Sequence, residues 1–189
     1  MKKILIFILL LFGTVKAEEL YIPKELRVKN LLSGCCVWAS IETLGNVHNI
    51  KRLQGLTKYR DEKFGKLAPG DEKSIKEELN RLGINYDLQV RGIYDTKLIE
   101  YAVEKELGVA IAVKDFPAQN EIHMVTLVNL TKNNVMFYDS RDLNYYEGSR
   151  KWFDESWTGL SLVIYPDKIK IQEERENKKI TIKEEKITK

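Results

Sequence analysis

From Val37 to Leu107, apolar side chains recur every three to four positions; from Val109 to Tyr165 they fall in continuous or alternating runs. The first pattern predicts helices, the second strands. Val37, Ile41 and Leu44 share one helical face, so a helix is expected from near Ser33 to Leu44, with Gly45 as a left-handed stop. A short helix over Ile50–Tyr59 and a loop from Lys63 to Gly70 follow. Asp71–Leu82 reads as a helix with Ile75, Leu79 and Leu82 on one face, Ser74 and Glu77 at capping-box spacing, and Gly83 at its end. Ile84–Val90 suits a strand. Asp95 or Thr96 caps a further helix, carrying Leu98, Ile99, Ala102, Val103 and Leu107 and stopping at Gly108. Strands are predicted over Val109–Val113, Ile122–Leu130, Val135–Tyr138 and Leu160–Tyr165, with Asn133-Asn134 turning between the second and third. Helices first and antiparallel strands afterwards predict an α+β fold.

The two ends stand apart from this pattern. Lys2 and Lys3, the apolar run Ile4–Phe12 and the small residues around Ala17 have the form of a secretory signal peptide over residues 1–17. The apolar run is far shorter than the roughly 20 residues a spanning helix needs, so no membrane insertion is expected after cleavage. Residues 18–166 form the expected domain, and 167–189 a Lys- and Glu-rich tail with only scattered isoleucines. The chain has 31 basic and 28 acidic side chains; Lys2, Lys3 and Lys16 leave with the signal and bring the balance to neutral. A neutral protein offers no electrostatic case for nucleic acid. Leu32-Ser33-Gly34-Cys35 spells a lipobox, but the charges from Glu18 to Lys29 separate it from the apolar core of the signal. Localisation outside the cytoplasm, in the periplasm or the medium, is therefore the expectation.

Cys35 and Cys36 are the only cysteines. Being adjacent, they can close only a strained ring, so they supply no ordinary disulfide framework. A thiol kept in an exported protein points to reactivity. Cys36 falls in the first turn of the predicted helix, where the helix dipole favours a thiolate. His123 heads a predicted strand, and Asp139 ends the next. A thiol, an imidazole to hold its proton and a carboxylate to orient that imidazole are the parts of a cysteine nucleophile site. A hairpin between the two strands could bring His123 and Asp139 near each other, although sequence leaves the register open. His48, the other histidine, reads as a loop residue. No cofactor or metal is expected.

The order Cys36, His123, Asp139 resembles the papain-like cysteine peptidases, and more narrowly the bacterial branch of bacteriocin-processing, double-glycine leader peptidases. Cys36-Val37-Trp38-Ala39-Ser40 is similar to that family's cysteine-helix motif, and the spacing to Ala39 and Asn30 favours Cys36 over Cys35, the other candidate, as the nucleophile. Gly108–Val113, His123–Val128 and Val135–Asp139 resemble its strand, His-strand and Asp-strand, and Lys151–Leu160 the approach to its last strand. The resemblance implies a papain-like fold and a peptidase that cleaves peptide or protein substrates through a thioester. It also implies an oxyanion donor about six residues before the cysteine; the family has glutamine there, and this chain has Asn30, with the same amide on a shorter stem. Two other readings stand beside the peptidase. One is a transglutaminase-like acyl transferase on a related frame; the other is a binding or inhibitory module in which Asn30 marks impaired catalysis.

Overall fold

The computed structural model describes residues 20–31, 35–65, 69–116 and 120–166. The expected signal peptide, the Ser33 cap, most of the loop before His123 and the charged tail lie outside them. The described residues form one six-stranded antiparallel sheet with helices on both faces. Its strands are β1 (Asn85–Gln89), β2 (Val109–Lys114), β3 (Ile122–Leu130), β4 (Asn134–Asp139), β5 (Asn144–Ser149) and β6 (Trp157–Tyr165), in the spatial order β1-β6-β2-β3-β4-β5. The helices are α1 (Cys36–Val47), α2 (Leu56–Phe64), α3 (Glu72–Arg81), α4 (Lys97–Glu104) and α5 (Arg150–Ser156).

The central strands are apolar at consecutive positions because both faces of the sheet are covered. On one face, Ala110, Ala112, Met124, Leu160, Leu162 and Ile164 pack against the α1–α3 layer. On the other, Val109, Ile111, Val113, Val125, Leu127 and Val163 pack with Ile99, Ala102 and Val103 of α4 and Phe153 of α5. Two alanines of β2 face α1, and small side chains there let the helix lie close to the sheet. Trp38 and Ile41 of α1 are fully buried in this layer. Ser40 Oγ donates to the Met124 carbonyl at 3.4 Å, tying the first turns of α1 to the head of β3.

Several local expectations give way to packing. Helix α1 runs on to Val47, and Gly45 lies inside it rather than ending it. A Cβ at Gly45 would sit 2.5 Å from Leu53 Cβ, so this glycine serves a close crossing and not a turn. The expected helix over Ile50–Tyr59 is split into a 3-10 turn, Lys51–Leu53, and α2, because Gly55 takes a left-handed conformation between them. The cap of α2 comes from α1: both carboxylate oxygens of buried Glu42 accept backbone N–H bonds, from Gly55 and Thr57, each 2.7 Å. Helix α3 is capped by Asp71, which accepts from Ser74 N; Ser74 itself is a first-turn residue. Between β3 and β4 the turn spans Thr131–Asn134, closed by Thr131 N donating to Asn134 O. Arg60 joins the three helices of this layer. Its guanidinium lies 4.2 Å from the Trp38 ring centre and 4.4 Å from that of Phe64, and it pairs with Glu78 at 3.4 Å.

The lead-in segment is anchored far away in sequence. Ile22 is fully buried, its N–H donates to Tyr145 Oη at 2.7 Å, and Arg27 lies over the Tyr145 ring while donating to the Ile22 and Leu143 carbonyls. β5 and α5 were not predicted. Tyr145 and Tyr146 are the β-prone residues that mark β5, and Ser149 marks the start of α5 by accepting from Trp152 N.

Gly45→Ala tests the close crossing. An alanine in a helix interior ordinarily gains about 1 kcal/mol over glycine. Here the overlap with Leu53 reverses the sign, and a net loss of about 1–3 kcal/mol is expected. A lower urea midpoint at unchanged slope checks it.

Candidate active site

Cys36 is the first residue of α1, with Cys35 at the cap position. The thiol therefore sits at the positive end of a twelve-residue helix. Backbone N–H groups of Val37 and Met124 both donate to the sulfur, and His123 hydrogen-bonds to it. Cys35 points elsewhere: it is fully buried, and its Sγ lies 3.4 Å from Asp61 Oδ1. The adjacent thiols thus occupy different environments, and only that of Cys36 meets an imidazole.

His123 and Asp139 are brought together by strand register. Thr126 lies opposite Tyr138 and Leu127 opposite Phe137, which places Asp139 diagonally across from His123 on the same sheet face. His123 Nε2 and Asp139 Oδ1 are 2.8 Å apart, and both side chains are buried. With Nε2 on the carboxylate, Nδ1 is the ring nitrogen left for the thiol. Phe116 stacks beside the imidazole, ring centres 6.3 Å apart, limiting its rotation.

A fourth side chain, not anticipated from sequence, completes this chain of contacts. Arg141 donates to Asp139 Oδ2 from Nη2 at 2.6 Å and from Nε at 3.0 Å, and its own N–H donates to Oδ1 at 2.9 Å. Asp139 thus has both oxygens bound and cannot swing away from His123. The signal was the spacing Asp139-Ser140-Arg141, in which a turn folds the arginine back onto the carboxylate two residues before it.

The electrostatics follow from these contacts. Burial alone would push the Cys36 thiol up; the hydrogen bond and charge of His123, with the two N–H donors, hold it below its ordinary 9.0. Burial works against the His123 imidazolium too, but the bonds to Asp139 and Cys36 prevail and raise it to about 9. For Asp139, burial is outweighed by the bonds from His123 and Arg141, which hold the carboxyl well below the usual range. The arrangement favours a thiolate–imidazolium pair over thiol and neutral imidazole.

Asn30 lies beside this group without joining it. Its N–H donates to the Ser140 carbonyl at 2.8 Å, next to Asp139, and its Oδ1 is buried with no hydrogen-bond partner. Among the described residues no hydrogen bond links its amide to Cys36 or His123. His48 is not a free loop residue: it ends α1, and its Nε2–H donates to the Leu107 carbonyl at 2.7 Å. Burial keeps its imidazole below the ordinary 6.5 despite that bond, so it is held neutral.

A cleft of about 220 Å³ opens at the thiol, lined by Cys36, Val37, Gly70, Ala112, Met124 and Leu160, with Ile122 and Arg91 at its rim. Gly70 is needed there, since a Cβ would come within 2.7 Å of Val37 Cγ2.

Two outcomes are expected from these geometries. Alkylation of Cys36 by iodoacetamide should proceed with an apparent pKa below that of a free thiol. In His123→Ala burial is opposed only by the Val37 and Met124 N–H donors, the profile moves to higher pH, and the rate at neutral pH drops about tenfold per unit moved. Arg141→Met should leave the buried Asp139 charge half-paired and cost about 3–5 kcal/mol at neutral pH. Because the folded pKa of Asp139 is lowered, its contribution is present above the unfolded value of about 3.9 and is lost as pH falls. The stability difference between Arg141→Met and wild type, followed by urea denaturation, should therefore narrow in acid.

No protein-family model matches the chain, and no curated protein matches it. Among solved structures it is similar to a double glycine motif protease from an AMS/PCAT transporter, crystallised in complex with the leader peptide. The TM-score is 0.54 at 16% sequence identity, over 78% of this chain and 94% of that one. At that identity the likeness speaks for the fold. The α+β architecture with an antiparallel sheet, expected from the sequence as papain-like, is the architecture observed.

Proposed function

We propose that the protein is a cysteine peptidase, an exported thiol hydrolase in which Cys36 is the nucleophile, His123 the acid–base group and Asp139 its orienting carboxylate. The observation that carries this reading is the continuous chain of hydrogen bonds from the Cys36 sulfur through His123 to Asp139, anchored by Arg141. Such a chain has a high cost if it does no chemistry, because it buries charged groups that a purely structural core would replace with apolar ones. A peptide substrate is supported by the open cleft at the thiol and by the peptide-bound state of the similar protease.

The chemistry follows from proton positions. The Cys36 thiolate adds to the scissile carbonyl, and the imidazolium gives its proton to the departing amine as the C–N bond breaks. A thioester and a free amine result. Water then attacks the thioester while neutral His123 takes its proton. The carboxylic product leaves, and the sulfur and ring return to the thiolate–imidazolium pair. The Met124 and Val37 N–H groups stabilise the resting sulfur. Asn30 supplies the oxyanion amide if its side chain turns toward the reacting carbonyl. The reaction needs His123 protonated, so cleavage falls as pH rises through about 9 and also where acid returns the proton to the thiolate.

Export through residues 1–17, a catalytic domain over 18–166 and a solvated tail over 167–189 belong to the same reading. The impaired-module alternative draws on one observation, the Asn30 amide that bonds to neither Cys36 nor His123. A peptide library separates the two. Wild type should hydrolyse library members, Cys36→Ala should not, and Asn30→Ala should lower turnover by about 100- to 1000-fold. Hydrolysis retained in Cys36→Ala removes the peptidase reading; binding without cleavage by wild type selects the module.

A further inference from the structure

The cleft at Cys36 is apolar along its floor and carries a single charge at its rim. Val37, Ala112, Met124 and Leu160 form the floor and walls, and Arg91 is the only cationic residue among the described residues that line it. At about 220 Å³ it is smaller than the roughly 300–1,000 Å³ of small-molecule pockets and suits one side chain.

The position of Arg91 is built, not incidental. It sits at the tip of the turn after β1, where Ile93 N donates to Val90 O and Gln89 Nε2 donates to Ile93 O at 2.6 Å. The turn is pressed onto β6: Gly92 N donates to Thr158 O at 3.1 Å, and a Cβ at Gly159 would lie 2.7 Å from Ile93 O and 2.8 Å from Gly92 N. Gly92 and Gly159 both have positive φ, 84° and 86°, and at Gly159 the close approach leaves no room for a side chain. The next residue of β6, Leu160, is a wall of the cleft. On the other side Arg91 N donates to Glu72 Oε1 at 3.2 Å, fixing the turn to the start of α3. The Glu72 carboxylate is thus engaged by the backbone, and no ion pair joins a described carboxylate to the Arg91 guanidinium. Two glycines and four hydrogen bonds hold a cation that pairs with no described carboxylate at an apolar slot beside the thiol.

We propose that Arg91 is a specificity-determining residue that selects substrates with a carboxylate close to the reacting carbonyl. The inference rests on the peptidase reading of the same site and names its substrate class: acidic peptides, with the aliphatic part of the acidic residue in the slot and its carboxylate on the guanidinium. A guanidinium matches a carboxylate through two parallel N–H bonds, which an amide of the same shape cannot replace. Because Arg91 is exposed, the preference is that of a rim charge and not of a fully buried pair, about three- to tenfold.

The test reads occupancy of the cleft and not turnover. Peptidyl vinyl sulfones carrying Glu or Gln at the first, second or third residue from the electrophile label Cys36 whether or not the protein hydrolyses peptides. Tripeptides with a free or amidated C-terminus, used to protect Cys36 from iodoacetamide, examine a chain-terminal carboxylate as the other source of the same group. The expected result is a three- to tenfold faster labelling by the Glu probe at one position. That preference disappears in Arg91→Gln, is partly kept in Arg91→Lys and inverts toward a Lys probe in Arg91→Glu. Better protection by the free than by the amidated tripeptide, lost in Arg91→Gln, supports the same residue with the chain terminus as its ligand. Equal handling of charged and neutral probes in both arms, or a preference that survives Arg91→Gln, overturns the proposal. Failure of the peptidase reading shows separately, as a labelled Cys36 with no peptide cleaved.

Discussion

The seating of α1 against the centre of the sheet is the contact on which the site depends. Cys36 is useful only because the first turn of α1 lies over the head of β3, where Met124 donates its N–H to the sulfur and receives a bond from Ser40 at its carbonyl. That seating needs Ala110 and Ala112 beneath the helix, Trp38 and Ile41 filling the layer, and the bare backbone of Gly45 against Leu53. A bulkier residue at Ala110, Ala112 or Gly45 would press against this packing and disturb the seat of the helix.

Around that contact the molecule divides its labour between two layers. The α1–α3 side supplies the Cys36 thiol and one wall of the cleft; the sheet supplies His123 and the carboxylate bonded to it. The sheet side is made rigid in sequence: Arg141 binds Asp139, Asp139 binds His123, and Phe116 packs on the ring. Burial opposes every charge in this series. The charges persist because each is bonded to the next, so the group is stable as a whole and costly to break at any member. The same arrangement that raises His123 and lowers Cys36 is what a thiol nucleophile requires near neutral pH.

Much of this was legible from residue pattern. The periods of α1, α3 and α4 and the runs of β2, β3 and β4 rest on apolar spacing; Cys36, His123 and Asp139, singled out by a thiol at a helix start, polar residues at strand ends and their order in the chain, are brought together by the structure. What was misread was decided by partners distant in the chain. Gly45 looks like a stop, yet Leu53 makes it a crossing point. The cap of α2 is a glutamate from α1, and Tyr145 of β5, itself paired to β4, receives the lead-in segment through its hydroxyl.

The sequence by itself determined the fold class and the types of group available for chemistry, because secondary structure follows from the spacing of apolar side chains along a short window. Only the tertiary structure decided which of two adjacent thiols meets the imidazole and that Arg91 stands at the cleft. Those outcomes depend on strand register and on the depth to which α1 sinks into the sheet. That depth is settled by packing between segments more than eighty residues apart, such as Ser40 and Met124, and the register by pairing across a hairpin, neither of which a local pattern records.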